Sequence, residues 1–276
     1  MKTEDLIDMG NASLFNTYNR GEKLFVSGKG VHIKNNDGET YLDFVSGIAT
    51  NILGHANETI VAAITDQAGK LMHTSNVFWN QPSIELSHKL VNYSGAGNLS
   101  KVFFSNSGAE ANEGALKLAR KYGKEVHGDD CTKVISLVDS FHGRTMATLS
   151  ATGQTDMHQD FQPLLPGSVY VRLNDNGALK AAVDDQTCAV LFETIQGEGG
   201  INSLSGEFVE TLKTLQKDKG ILLIIDEVQT GMGRTGTLFS FEQFGFEPDI
   251  VTLAKGLGAG YPLGAFMATE TVAGHF

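Results

Sequence analysis

The sequence predicts an α/β protein built on a mostly parallel, seven-stranded sheet that helices cover on its faces. From Lys101 onward, short apolar runs alternate with helical patterns, which is the arrangement of βαβ units. The run Ile221–Ile225 is apolar throughout and follows a glycine, as expected of a strand buried on both faces of a parallel sheet. Glycine is abundant, with 32 of 276 residues, which favours tight turns and backbone-lined loops.

The amino-acid composition limits which kinds of molecule the protein can bind. The net charge of -11 argues against binding to nucleic acid or to an anionic membrane surface, since both need a basic face. Residues Met1–Asp5 lack an apolar signal core, and no later run is long enough to span a bilayer. Cys131 and Cys188 lack the spacing of metal ligands, and two isolated thiols suggest a reducing compartment. We therefore expect a cytoplasmic protein that binds small molecules and holds no metal.

Residues 1–54 are predicted to form an extended arm and a hairpin that belong to a smaller domain, and residues 55–276 a large domain. In the hairpin, the segments Val31–Lys34 and Thr40–Asp43 flank a polar turn. After His55 the apolar period becomes helical. One predicted helix carries Ile60, Ile64 and Leu71, and the next carries Leu86 and Leu90 after a first-turn proline, Pro82.

The large domain supplies the strands of the sheet, whose order the sequence leaves undetermined. The predicted strands are Val102–Ser105, Val134–Val138, Ser168–Val171, Ala189–Phe192, Ile221–Ile225, Ile250–Leu253 and Gly264–Ala268. The predicted helices between them include Ala109–Tyr122, which Gly123 would end, Gly177–Val183 and Glu207–Lys217.

Two reactive side chains follow neighbouring apolar runs. Asp226 comes directly after Ile221–Ile225, and Lys255 comes just after Ile250–Leu253. Ligands of open α/β sheets bind beyond the carboxyl ends of the strands, so both residues are expected on that rim of the sheet. Either residue alone would more often be a solvated loop residue. The two residues together are less easily explained as solvated loop residues, because a lysine on a crowded, partly desolvated rim can lose its proton and attack an aldehyde.

Other polar segments also follow strands. Ser107 and Glu110 form a capping-box pattern, and the same helix start, with its small Gly108–Ala109 pair, is suited to a phosphate. Phe141 is either a core residue or a side chain that stacks on a flat ring. Arg144 is either a surface cation or a residue that binds a carboxylate through two hydrogen bonds. The glycine-rich segment Glu193–Gly200 carries two acids to the same rim, whereas Gly231–Gly236, which fits GxGxxG, is interpreted as a loop.

Assembled, these segments resemble the class III pyridoxal-phosphate aminotransferases of fold type I, and among them the enzymes that act on N2-acetylornithine. The resemblance covers nearly the whole chain and rests on SNSGAEANE, FHGRT, ETIQGEGG, IIDEVQTGMGRTG and TLAKGLGAGYPLGA. It implies amino transfer to 2-oxoglutarate in arginine biosynthesis. It also implies that the family continues beyond Phe276, so we expect a truncated chain that lacks the C-terminal half of the small domain.

The resemblance further implies roles for particular residues. Lys255 would bind pyridoxal phosphate covalently, and Asp226 would pair with the ring nitrogen. Ser107, Gly108 and Ala109 would bind the phosphate, Phe141 and Val228 would lie on the two faces of the ring, and Gln229 would lie near the ring hydroxyl.

The residues implied for substrate binding are Tyr18, Arg144 and Glu198. Glu198 would pair with an arginine from the C-terminal part.

Substrate choice and assembly are less determined. Ile48 stands where ornithine aminotransferases carry a tyrosine, which disfavours free ornithine. Succinylornithine and 4-aminobutyrate aminotransferases, an aminomutase or racemase of the same fold, and an inactive fragment remain open. The segment Thr74–Asn80 places Phe78 and Trp79 on a polar connection, where they are either core residues or part of a subunit interface. Together with the resemblance, the segment predicts a homodimer.

Overall fold

A computed structural model describes the backbone of residues 1–276 and every side chain except that of Ser94. The chain forms two compact units, Met1–Ser75 and Asn76–Phe276. The domain boundary after residue 54 stays a prediction. Within the described part of the chain, no helix is both long enough and apolar enough to cross a membrane.

The first unit is a small antiparallel sheet with short helices. The predicted hairpin is confirmed, but a further strand precedes it, and the arm is not extended throughout because it begins with a helix. That helix buries no side chain. The elements are α1 (Thr3–Ser13), β1 (Phe25–Lys29), β2 (His32–Asn35), β3 (Thr40–Leu42), the four-residue turn α2 (Ser46–Ala49) and α3 (Glu58–Ala68).

The second unit contains the main sheet. Its strands are β4 (Leu99–Ser105), β5 (Lys133–Leu137), β6 (Ser168–Val171), β7 (Thr187–Phe192), β10 (Leu222–Asp226), β11 (Ile250–Leu253) and β12 (Gly264–Thr269), and a separate hairpin joins β8 (Ile195–Gln196) to β9 (Asn202–Ser203). The strand order is β4-β12-β11-β10-β7-β5-β6, and only β12 runs antiparallel to its neighbours. The mostly parallel, seven-stranded α/β sheet is therefore confirmed.

The helices of this unit are α4 (Gln81–Val91), α5 (Gly108–His127), α6 (Met146–Ala151), α7 (Asn176–Ala182), α8 (Gly206–Lys219) and α9 (Glu270–Ala273). Pro82 lies in the first turn of α4, as predicted. The prediction that Gly123 ends α5 is wrong, because the helix continues for another turn. A side chain at Gly123 would collide with the carbonyl oxygen of Cys131, so close packing explains the glycine.

Alternate residues of β10 point to opposite faces of the sheet and pack into two separate cores. Leu223 and Ile225 pack with Phe208 of α8, whereas Leu222 and Ile224 belong to the core that α5 covers. The strand is thus buried on both faces, as its apolar sequence predicts. Asp226 continues the alternation and lies on the α5 face, at the carboxyl end of the strand.

Candidate active site

The carboxyl ends of the parallel strands meet at one edge of the main sheet, which we call the sheet rim. Asp226 ends β10, and its register partner on β11 is Thr252, so Lys255 follows three residues beyond that pair. The structure therefore brings the predicted acid and amine to one rim.

Asp226 is held by three hydrogen-bond donors from three segments. Its side chain is 3% exposed. Oδ2 accepts from Nδ2 of Asn112 at 2.8 Å and lies 2.8 Å from Nδ1 of His142, while Oδ1 accepts from the backbone N–H of Val228 at 3.0 Å. An ionised carboxylate offers about four acceptor positions, so this one can receive one more N–H.

His142 and Asn112 are the site residues that sequence reasoning missed. Asn112 also donates to the carbonyl oxygen of His142 at 2.8 Å, so Asn112, His142 and Asp226 form one connected hydrogen-bond group. Among the described side chains, Nε2 of His142 and Oδ1 of Asn112 are buried without a hydrogen-bond partner. One signal was present for Asn112, because an amide on a helix face otherwise made of alanine and leucine needs a polar partner.

Lys255 is made less basic by its surroundings. Burial lowers the pKa of its amine, and the nearby carboxylates of Asp226, Glu198 and Glu193 oppose that shift only in part. Its backbone has a φ of +43°, an uncommon conformation for a residue with a side chain, at the start of the 3-10 turn Lys255–Leu257. A partly buried amine with a lowered pKa is the form of lysine that attacks carbonyl carbons.

The start of α5 combines a helix cap with free backbone donors. Oγ of Ser107 accepts from the N–H of Glu110 at 3.2 Å, as predicted, but the Glu110 carboxylate accepts from the N–H of Asn106 at 2.6 Å and not from that of Ser107. The first N–H groups of a helix have no partner within it, and the helix dipole adds positive potential there. Gly108 is needed for close packing, since a Cβ there would lie 2.9 Å from Cγ1 of Val228.

Two loops of the rim are joined by the buried carboxyl of Glu193. It accepts from the N–H of Phe141 at 3.3 Å and from that of Gly197 at 3.2 Å. Gly197 in turn packs against Gln229, because a Cβ there would lie 2.6 Å from the Gln229 Nε2 atom. Phe141, Val228 and Gln229 are thus placed on segments that also touch the Asp226 group.

The predicted substrate residues are less tightly placed. Arg144 is exposed, and its Cζ lies 5.7 Å from the centre of the Phe141 ring. Glu198 is exposed on the loop after Gly197. Tyr18 belongs to the first unit, where 72% of its surface is exposed. Their roles in substrate binding stay predictions.

The GxGxxG segment is a loop, as interpreted from the sequence. Gly231–Gly236 adopts turns, and a 3-10 helix, Ser240–Phe244, follows it. The buried carboxylate of Glu227 organises this helix by accepting from the N–H groups of Ser240 at 3.0 Å and Phe241 at 2.8 Å. No group of three or more His, Cys, Asp or Glu side chains within the described residues could hold a metal ion.

Comparison with known proteins agrees with this geometry. The acetylornithine aminotransferase of Caldanaerobacter subterraneus is 51% identical over 257 residues, which are 93% of this chain and 65% of that protein. The acetylornithine aminotransferase of Methanocaldococcus jannaschii is 47% identical over 273 residues, 99% of this chain and 68% of that protein. The chain thus spans about two thirds of the length of these relatives.

Solved structures share the fold. The ornithine aminotransferase of Toxoplasma gondii matches with a TM-score of 0.91 at 32% identity, over 100% of this chain and 66% of that one. The N-acetylornithine aminotransferase of Stenotrophomonas maltophilia matches with a TM-score of 0.82 at 36% identity, over 98% of this chain and 66% of that one. The sequence model of the class-III aminotransferases matches residues 17–276. The chain belongs to the class-III aminotransferase family.

Proposed function

We propose that this chain forms the pyridoxal-phosphate-binding part of an aminotransferase that moves the amino group of N2-acetylornithine to 2-oxoglutarate. The products would be N-acetylglutamate 5-semialdehyde and glutamate, a step of arginine biosynthesis. The observation that carries the proposal is the meeting of Asp226 and Lys255 on one rim, in a chain 51% identical to an acetylornithine aminotransferase.

The residues present fit pyridoxal phosphate. Asp226 retains one acceptor position, which suits the protonated ring nitrogen. The start of α5 at Ser107, Gly108 and Ala109 offers N–H groups and a positive helix end to the phosphate. Phe141 and Val228 would lie on the ring faces, and Gln229 near the ring hydroxyl.

The cofactor, when bound, supplies an electron sink that stabilises negative charge at the substrate carbon that bears the reacting amine. Asp226, whose negative charge three donors stabilise, would keep a proton on the ring nitrogen. Nζ of Lys255 would hold the cofactor through its aldehyde group. The amine of Lys255, whose pKa burial lowers, would also act as the general base for the proton on the reacting carbon, which is Cδ in N2-acetylornithine.

The substrate groups are assigned by charge. Arg144, exposed beside Phe141, would bind the α-carboxylate in the two-pronged manner that guanidinium groups favour. Glu198 would pair with an arginine of the C-terminal part of the protein. Tyr18 would contact the acylated side chain of the substrate, and Ile48 leaves no phenol hydroxyl for the free amine of ornithine.

We also propose that the protein is a homodimer. Phe78 and Trp79 are 69% and 91% exposed on the connection before α4, and large aromatic side chains are enriched in interfaces. A two-fold interface would use this patch twice and would build both sites at once.

The proposal is tested by following labelled nitrogen. The full chain, supplied with pyridoxal phosphate and 2-oxoglutarate, is given N2-acetylornithine that carries nitrogen-15 on its reacting amine, and the glutamate is analysed by mass spectrometry. Labelled glutamate is expected, formed faster than from succinylornithine, ornithine or 4-aminobutyrate. A faster rate with one of these donors would overturn the substrate. No labelled glutamate from any donor would overturn amino transfer and favour an aminomutase, a racemase or an inactive chain.

A further inference from the structure

Glu193 directly follows β7 and is 5% exposed, yet the chemistry described above does not use it. Its two carboxyl oxygens serve different loops. Oε2 accepts from the N–H of Phe141, in the loop after β5, and Oε1 accepts from the N–H of Gly197, in the loop that continues to Glu198. One buried carboxyl therefore ties together two segments that are 56 residues apart in the chain.

Each of these loops leads to a predicted contact of the cofactor ring. Phe141 itself would lie on one ring face. Gly197 packs so closely on the amide of Gln229 that no larger residue fits without moving it. A change in the position of either N–H group would therefore displace a ring-face residue or a ring-edge residue.

We propose that Glu193 is a positioning residue that holds the Phe141 loop and the Gly197 loop at a fixed separation, and so sets the width of the slot for the cofactor ring. The inference rests on the proposed function for the meaning of that slot. It does not make Glu193 a catalytic residue, because its oxygens are engaged with backbone N–H groups and not with reacting atoms.

The geometry depends on protonation. An ionised carboxylate accepts strongly from both N–H groups, whereas a protonated carboxyl carries a hydrogen on one oxygen, which becomes a weaker acceptor and holds its loop less firmly. Burial raises the pKa of Glu193 to about 7; the negative charge of Asp226 adds to that rise, and His142 and the two N–H groups oppose it. The charge of Lys255 also couples to Glu193. The two-loop contact is therefore strongest above pH 7 and weakens as the pH falls below it.

Amide hydrogen exchange of the cofactor-free full chain tests the proposal without any enzyme reaction. In the wild type, exchange at Phe141 and Gly197, corrected for intrinsic rate, should be slower well above pH 7 than well below it. Glu193→Gln, which resembles the protonated form at every pH, should exchange about tenfold faster at one or both amides above pH 7, as expected for loss of a hydrogen bond to a charged group. It should also bind pyridoxal phosphate more weakly, as measured by the cofactor's fluorescence.

Glu227→Gln is the matched control. Glu227 is also buried, burial raises its pKa to about 7 as well, and it accepts from the N–H groups of Ser240 and Phe241. This variant should accelerate exchange at those two amides and leave Phe141 and Gly197 unchanged. Glu193→Asp is a second variant if the amide variant does not fold; its shorter carboxylate keeps the charge but should protect only one of the two loops.

Equal protection of Phe141 and Gly197 on both sides of pH 7 in the wild type, or unchanged exchange at both amides in the Glu193 variants, would overturn the proposal. Faster exchange with unchanged cofactor affinity would also overturn it, because Glu193 would then hold the two loops without affecting the width of the slot for the cofactor ring. These readouts are independent of amino transfer, so a failure of the proposed substrate leaves the exchange result interpretable.

Discussion

The Nδ1 atom of His142 lies 2.8 Å from Oδ2 of Asp226, and both side chains are buried. Asn112 donates to the same oxygen from α5. The carboxylate is thus oriented from the loop after β5 and from a helix. A carboxylate fixed in this way needs little rearrangement to pair with a ring nitrogen, which is the role we propose for Asp226.

Replacing Asp226 by Asn should leave cofactor binding measurable but remove most of the turnover. A neutral amide cannot keep the ring nitrogen protonated, and its NH2 group would face the donors of Asn112 and His142. Steady-state turnover and the visible spectrum of the same samples check this. Turnover within a few-fold of the wild type would contradict the assignment.

Asn112→Leu should lower turnover while keeping the fold. The change removes one of the three donors to Asp226, and a hydrogen bond to a charged group contributes about 1.5–3 kcal/mol, so a decrease of at least about tenfold is expected. Thermal unfolding monitors the fold beside kcat. Asn92→Leu, at the exposed end of α4, is the control. Equal turnover of the two variants would show that the Asn112 contact is not used.

Glu227 should make stability depend on pH in a defined direction. Burial raises its pKa from 4.5 to about 7, so between these values the folded chain binds a proton that the unfolded chain does not. Its contribution to the free energy of unfolding is therefore highest below pH 4.5 and declines as the pH rises to 7, by about 3 kcal/mol in all. Denaturant titrations of the wild type and Glu227→Gln across this range should differ by that trend. A pH-independent difference would refute the raised pKa.

Trp79→Asp should separate the subunits and release the cofactor together. The side chain is 91% exposed in the single chain, so the charge would be tolerated there, but burying it in a dimer would cost several kcal/mol unless it were paired. Light scattering and the cofactor's visible band are measured on the same full-length samples. A wild type that is monomeric yet active would contradict the proposed homodimer, and so would a monomeric variant that still binds the cofactor tightly.

Much of the sheet could be predicted from the sequence because its strands are buried on both faces and therefore apolar throughout, as Leu222–Ile225 shows. The placement of Lys255 and Asp226 followed from the same pattern, since both follow such runs. The contact of His142 with Asp226 joins residues 84 positions apart, and the protonation of Glu193 depends on its burial, so neither is encoded in a local pattern.

Binding of pyridoxal phosphate to the sheet rim through Lys255 can be measured by trapping the covalent link. The full chain is mixed with pyridoxal phosphate, reduced with borohydride, digested and mapped by mass spectrometry, with Lys255→Ala as the control. We expect a pyridoxyl label on the peptide that contains Lys255, and a folded control protein without that label. A label on a different lysine, or equal labelling of the control, would show that Lys255 does not bind the cofactor.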